Sequence, residues 1–186
     1  MTRIIAGTAG GRRLLTPNTA ATRPTSDRVR EALFSSLESA FGSFAGLRVL
    51  DLFAGSGAVG LEALSRGAAM AVLVESDRRT ATLIEQNARR LGLAGAHAVR
   101  QRVEAYLDAE PAEGFDLVYL DPPYDHPAGR VRETLTRLAA GWYAADAVVV
   151  VERPRREDGF GWSTGIEPVR RKVYGETVLW YGRPHA

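Results

Sequence analysis

Arg48-Val49-Leu50-Asp51-Leu52-Phe53-Ala54-Gly55-Ser56-Gly57-Ala58-Val59-Gly60 is the stretch that decides the fold. It begins as an apolar run of strand length and ends by opening a helix through Leu61, Ala63 and Leu64. Between them Gly55, Gly57 and Gly60 satisfy G-x-G-x-x-G, a turn that lets a nucleotide-like ligand approach the backbone closely. That spacing serves nicotinamide and flavin dinucleotides as well, and Glu75, 18 residues beyond Gly57, suits ribose hydroxyls in every case. Asp51 separates the readings. An acid four residues before Gly55 would repel a pyrophosphate, whereas it pairs with the ammonium of S-adenosylmethionine, which carries no phosphate.

Working outward, strands and helices alternate. Residues 71–75 read as a strand, 78–91 as a helix, 97–100 as a short strand, 103–107 as a short helix, 115–120 as a buried strand, 129–139 as a helix and 147–151 as a β-branched strand. Upstream, Ser26 or Asp27 caps a helix with apolar positions Val29, Ala32, Leu33, Leu37 and Ala40, Glu31 reaching back and Gly42 ending it. The pattern predicts a doubly wound parallel sheet. Two strand-like runs at the C-terminus, 169–174 and 177–181, meet through Gly175-Glu176 and should pair antiparallel.

Residues 1–26 lack helical periodicity and predict an irregular arm, with a short hairpin around Gly10-Gly11, joined to a single domain over 27–186. Arg3, Arg12, Arg13, Arg23, Arg28 and Arg30 fall within the first thirty residues with Asp27 as the sole acid, a candidate footprint for RNA. The arm is expected to be separable, its removal weakening RNA association without affecting cofactor binding or folding. Of the 24 cationic residues only Lys172 is a lysine. Arginine suits bidentate phosphate contact and stacking on bases, although its preferred use also follows from genomic base composition. Arg153-Pro154-Arg155-Arg156 and Arg170-Arg171-Lys172 are either phosphate contacts or solvated faces.

At 186 residues and 45% hydrophobic content the chain fits one domain with a full core. No apolar run approaches the roughly 20 residues of a membrane-spanning helix, and the N-terminal residues lack the apolar stretch of an export signal, so a cytoplasmic protein is expected. Without cysteine there is no disulfide, thiolate metal site or cysteine nucleophile, and His97, His126 and His185 do not cluster at ligand spacing; no metal is expected. His126 reads as a solvated loop residue.

A second constellation, Asp121-Pro122-Pro123-Tyr124, follows the strand over 115–120. Two prolines fix φ and donate no backbone hydrogen bonds, making a stiff corner with outward carbonyls. A nucleobase amino group delocalises its lone pair into the ring, so it becomes nucleophilic only when acceptors hold it. The Asp121 carboxylate and Pro122 carbonyl are such acceptors, and Tyr124 can stack on the base.

The glycine turn and this corner resemble those of methyltransferases acting on adenine N6, cytosine N4 and guanine N2. Further segments narrow the likeness: Arg3-Ile4-Ile5-Ala6-Gly7, Gly11-Arg12-Arg13-Leu14, residues 23–34 beginning Arg23-Pro24-Thr25, Asp51-Leu52-Phe53-Ala54-Gly55-Ser56-Gly57, and Tyr174-Gly175-Glu176-Thr177. Together they resemble the bacterial RsmD family. The resemblance implies a seven-stranded Rossmann-like class I fold with a short N-terminal extension helping to hold RNA, S-adenosylmethionine as cofactor, and methylation of guanine N2 in small-subunit (16S) ribosomal RNA. A chain this small, with no separate domain to read sequence, is expected to rely on substrate shape, with an assembled small-subunit particle as partner. Candidate catalytic residues are Asp121, Pro122, Pro123 and Tyr124. Candidate cofactor residues are Asp51, Phe53, Ala54, Gly55, Ser56, Gly57, Glu75 and Ser76. Where the family pattern calls for a small polar or acidic residue near the cofactor adenine, this chain has Gln101-Arg102-Val103-Glu104. A DNA adenine-N6 or cytosine-N4 methyltransferase and a noncatalytic RNA-binding Rossmann module are the alternatives.

Overall fold

A computed structural model describes residues 2–17, 27–157 and 159–185. Its elements are α1 (Asp27–Phe41), β1 (Arg48–Leu52), α2 (Ala58–Ser65), β2 (Met70–Val74), α3 (Arg78–Leu91), β3 (Ala96–Val99), α4 (Val103–Leu107), β4 (Phe115–Leu120), α5 (Ala128–Leu138), β5 (Tyr143–Pro154), β6 (Ile166–Tyr174) and β7 (Thr177–Pro184). The seven strands form one sheet in the order β3-β2-β1-β4-β5-β7-β6. β1 to β5 run parallel, and β7 enters antiparallel between β5 and β6.

Alternation explains why these strands are apolar throughout. Val49, Leu117, Tyr119, Val148 and Val150 face one core with Leu33, Phe34, Leu61 and Ile84 from α1, α2 and α3. Their neighbours Leu50, Val118, Leu120, Val149 and Val151 face the other, with Val103 and Leu107 of α4 and Val131 and Leu135 of α5. A strand covered on both faces has no polar side to show. α3 has clear signals at both ends: Asp77 accepts the Thr80 amide at 2.8 Å, and Gly92 closes the helix at φ 70°.

Three sequence expectations change. β5 starts at Tyr143 rather than 147, because Tyr143 pairs with Phe115 before a register shift brings Val148 opposite Leu117. Exposed Ala145 and Asp146 interrupt the apolar pattern there, which hides the early pairing. The C-terminal hairpin is longer than predicted, extending to Ile166 and Pro184. Most consequentially, the N-terminal segment is not a loose arm.

Residues 2–14 do turn back as a hairpin, with Ile4 N–H donating to the Arg12 carbonyl and Leu14 N–H to that of Thr2, each at 2.9 Å. The hairpin is, however, part of the core: Ile4, Ala9 and Leu14 are buried in the α1–α3 layer. Buried Glu62 of α2 accepts the amides of Ile5 and Ala6 at 2.7 and 3.0 Å. Gly7, at φ 80°, lies so close to α2 that a Cβ would stand 1.8 Å from the Ser65 carbonyl oxygen. This packing runs against the expected separability, and its source is backbone amides that find partners no pattern of side chains announces. The predicted boundary at residue 26 and the cap Ser26 lie outside the described residues.

Candidate active site

The strand order reverses between β1 and β4, whose C-terminal ends open a cleft of about 930 Å³. Open α/β sheets bind ligands at such a point. Both sequence constellations are there. Asp121, Pro122, Pro123 and Tyr124 line one side, and Asp51, Phe53, Ala54, Gly55, Ser56, Glu75 and Ser76 the other.

Gly57 is the exception. It lies beneath the turn, donating to the Ala54 carbonyl at 2.8 Å, and a Cβ on it would press Leu73 at 3.0 Å and Ile84 at 3.2 Å. It shapes the turn from below and is not among the residues that line the cleft.

Asp51 is buried and accepts the Gly60 amide at 2.9 Å. Burial, opposed by that hydrogen bond and reinforced by the nearby Glu75 charge, pushes its carboxyl up to about 7. Glu75 accepts amides from Gly55 at 3.0 Å and Asp77 at 2.8 Å, and so braces the turn from β2. A carboxylate offers about four acceptor sites, leaving capacity for ribose hydroxyls. Phe53, at φ 63°, is the one non-glycine residue of positive φ among those described. Such backbone is costly for a bulky side chain and concentrates at functional sites. It turns the Phe53 ring against His126, 5.3 Å between centroids.

His126 is thereby partly buried rather than solvated, and that desolvation lowers its pKa. The corner itself is closed by the His126 amide donating to the Pro123 carbonyl at 2.9 Å, while Arg153 donates to the His126 carbonyl at 2.8 Å. Pro122 is buried, and Tyr124, also on the cleft wall, is 46% exposed.

Gln101, Arg102, Val103 and Glu104 all line the cleft beyond β3, so the segment that departs from the family pattern reaches the site. Sequence reasoning did not single out Tyr119 and Glu152, two buried residues of the wall whose side chains are hydrogen bonded. An acid directly following Val148-Val149-Val150-Val151, at the carboxyl end of a parallel strand, was the available signal for the latter. Thr16 and Pro17 also line the cleft, carried there by Asn87, which bonds Leu15 N–H and C=O at 2.8 and 2.9 Å and the Ser56 carbonyl at 3.3 Å.

The arginine footprint divides. Arg30 is fully buried, bonded to Asp27 at 2.9 Å and to the Arg3 carbonyl, so its expected RNA contact gives way to fastening the hairpin to α1. Arg12 donates to the carbonyls of Arg90 and Leu91, where the C-terminal end of α3 attracts a cation. Arg3 pairs with Asp27 at 3.3 Å but keeps most of its side chain in solvent; Arg13 and Arg28 are exposed. Arg23 lies outside the described residues. On the C-terminal hairpin, Arg170 and Lys172 bond Ser36, and Arg171 lies over Trp180 at 5.0 Å. Arg153 is buried against Glu157. Arg155 and Arg156 are exposed.

The family described as conserved hypothetical protein 95 matches residues 2–183. Ribosomal RNA small subunit methyltransferase D of Escherichia coli strain K12 is 40% identical over 151 residues, 81% of this chain and 73% of that protein. The chain belongs to the RsmD family. The putative rRNA methyltransferase YlbH of Bacillus subtilis strain 168 is 33% identical over 180 residues, 94% of this chain and 95% of the relative. Among solved structures, the putative methyltransferase yhhF from Escherichia coli superposes with a TM-score of 0.87 at 33% identity, covering 100% of this chain and 98% of the other.

The fold is that of class I methyltransferases and the cofactor is S-adenosylmethionine. The residues present fit it. Asp51 and Glu75 place two carboxylates at adjacent strand ends, and their mutual repulsion is relieved by a cationic ligand. Gly60 passes so close to Leu73 that a Cβ would stand 2.7 Å away, which keeps the turn low beneath the cleft. Among the described residues no helix is long and apolar enough to cross a membrane.

Proposed function

We propose that the protein methylates the N2 amino group of a guanine in small-subunit (16S) ribosomal RNA, acting on the assembling particle in the cytoplasm. The observation that carries this reading is the stiff corner Asp121-Pro122-Pro123-Tyr124 on the wall of the cleft that also holds Asp51. The names of relatives, which specify ribosomal RNA and the small subunit, support the substrate class.

In this reading the cofactor supplies an activated methyl group, so the protein has mainly to position. Asp51 would hold the ammonium of the methionine portion and Glu75 the ribose. Asp121 and the Pro122 carbonyl accept N–H groups of the target amine and direct its lone pair toward the methyl, and Tyr124 stacks on the base. Holding both reactants in line accounts for most of the acceleration. The proton leaves after transfer, and His126 on the cleft wall, its pKa lowered by partial burial, would serve as an acceptor for it. A paired base has first to be unstacked, and Arg3, Arg13 and Arg28 supply exposed charge for the surrounding phosphates.

Mass spectrometry of digested small-subunit RNA from cells lacking the protein tests the proposal. N2-methylguanosine should be lost at one site and return with the gene. An unchanged level, or loss of a methylated adenine or cytosine in RNA or DNA instead, overturns it.

A further inference from the structure

We propose that Glu152 is the residue that reads the target as guanine, by accepting the ring N1–H beside the amine that is methylated; the inference rests on the guanine reading above. β4 and β5 pair with Tyr119 opposite Val150 and Leu120 opposite Val151, so the next positions along the two neighbouring strands are Asp121, just past the end of β4, and Glu152, which stays within β5 and pairs with Leu179 of β7. Neighbouring strands lie about 4.8 Å apart, and side chains two residues apart share a face. Asp51, paired with Tyr119, belongs to the same row of side chains. Asp51, Tyr119, Asp121 and Glu152 therefore converge on one cleft, where Glu152 is only 7% exposed.

Burying a carboxylate at the end of an all-valine run is costly unless it is hydrogen bonded. The Tyr119 hydroxyl donates to Glu152 Oε2, which fixes the carboxylate within the wall. A carboxylate only accepts, at about four lone-pair sites, so it suits a ligand edge that only donates. Guanine has that edge, with N1–H next to the N2 amine. Adenine and cytosine carry a ring acceptor beside their amines, which an oxygen of Glu152 would repel. Asp121 and Pro122 would hold the amine of any base, and Glu152 adds the discrimination they lack.

The test compares guanosine with 2-aminopurine riboside, which keeps the 2-amino group but presents an acceptor at N1. Small-subunit RNA is ligated with one or the other at the mapped target, and single-turnover methylation is measured for the wild type and Glu152→Gln. The wild type should favour guanosine by about 10–100-fold, the discrimination of one good polar contact. Glutamine keeps the shape and still accepts from Tyr119, but can donate to N1, so the preference should collapse toward unity while cofactor affinity by calorimetry holds. Equal loss on both substrates, or an unchanged ratio, overturns the proposal. Should Glu152→Gln fail to fold, Tyr119→Phe frees the carboxylate from its anchor and should narrow the same ratio several-fold; an unchanged ratio there is equally fatal. A wild type that leaves guanosine unmethylated defeats the guanine reading instead, and the two failures are thereby distinguished.

Discussion

The strand ends around the cleft and the N-terminal hairpin are both rich in charge, and they use it in opposite directions. At the strand ends, Asp51, Glu75, Asp121 and Glu152 all line the cleft, and burial keeps Asp51 near 7. In the hairpin region, Arg30 is buried against Asp27 and the Arg3 carbonyl, and exposed Arg12 bonds the carbonyls of Arg90 and Leu91. The difference follows from geometry. A parallel sheet ends its strands together at a concave edge where acids converge on a ligand, whereas a hairpin laid over two helices leaves backbone acceptors beneath it that arginine satisfies well.

The largest expected effect breaks the acidic side. Asp121→Ala should lower single-turnover transfer at least about a thousandfold, the scale of losing a group that acts only as the transition state forms, while calorimetric affinity for S-adenosylmethionine stays within a few-fold. A comparable loss of cofactor binding would place Asp121 on the wrong half of the cleft.

Asp51 should show the converse, with a pH signature. Because its carboxyl titrates near 7, cofactor affinity should fall below that pH by about tenfold per unit, as the carboxylate that pairs with the ammonium is protonated. Folding responds with the opposite sign. A carboxyl raised from 3.8 in the unfolded chain to about 7 in the fold contributes stability fully below 3.8 and loses it as pH rises through 7. Asp51→Asn, which retains an acceptor for the Gly60 amide, should therefore melt well above the wild type at pH 8, by a smaller margin at pH 5, and level with it only below 3.8, though it no longer binds cofactor. Scanning calorimetry at the two pH values, with a flat difference as the contrary result, decides this.

How legible these regions were in sequence follows from the same contrast. Strand-end motifs can be read locally: Asp51 with its glycines and Asp121 with its prolines carry their chemistry within a few consecutive residues, and six-residue apolar runs announce strands buried on both faces. Glu62 and Arg30 could not be read that way, and Glu152 only by its place after four valines, which says nothing of its partner. Each is a charged residue that looks solvent-facing until the fold brings it two amides, a carbonyl or a tyrosine hydroxyl from distant sequence. Gly57 is ambiguous for a related reason, since packing on Leu73 and approach to a ligand both call for glycine.

On the basic side the expected effects are on stability first. Arg30→Ala removes a buried guanidinium from Asp27 and from the hairpin backbone and should cost about 3 kcal/mol or more, read as a lower denaturation midpoint. Deleting residues 2–15 should be at least as damaging, since it strips Ile4, Ala9 and Leu14 from the core and leaves buried Glu62 without two of its donors. A truncated chain that melts like the wild type would restore the separable arm.

The smallest effect is the most discriminating. Arg13 and Arg28 are exposed, and among the described residues neither bonds a backbone carbonyl as Arg12 does. If the hairpin region tracks RNA phosphates, Arg13→Ala and Arg28→Ala should each weaken RNA binding only a few-fold, uniformly across sequences. Each should also reduce the slope of log affinity against log salt by about one, with melting unchanged. Arg12→Ala should do the reverse, lowering the melting temperature and leaving the salt slope alone, because its charge answers the end of α3 rather than a ligand. Equal salt slopes in all three variants would mean that none of these arginines meets the nucleic acid, and the polyanion would then have to be held elsewhere, with exposed Arg155 and Arg156 the next positions to change.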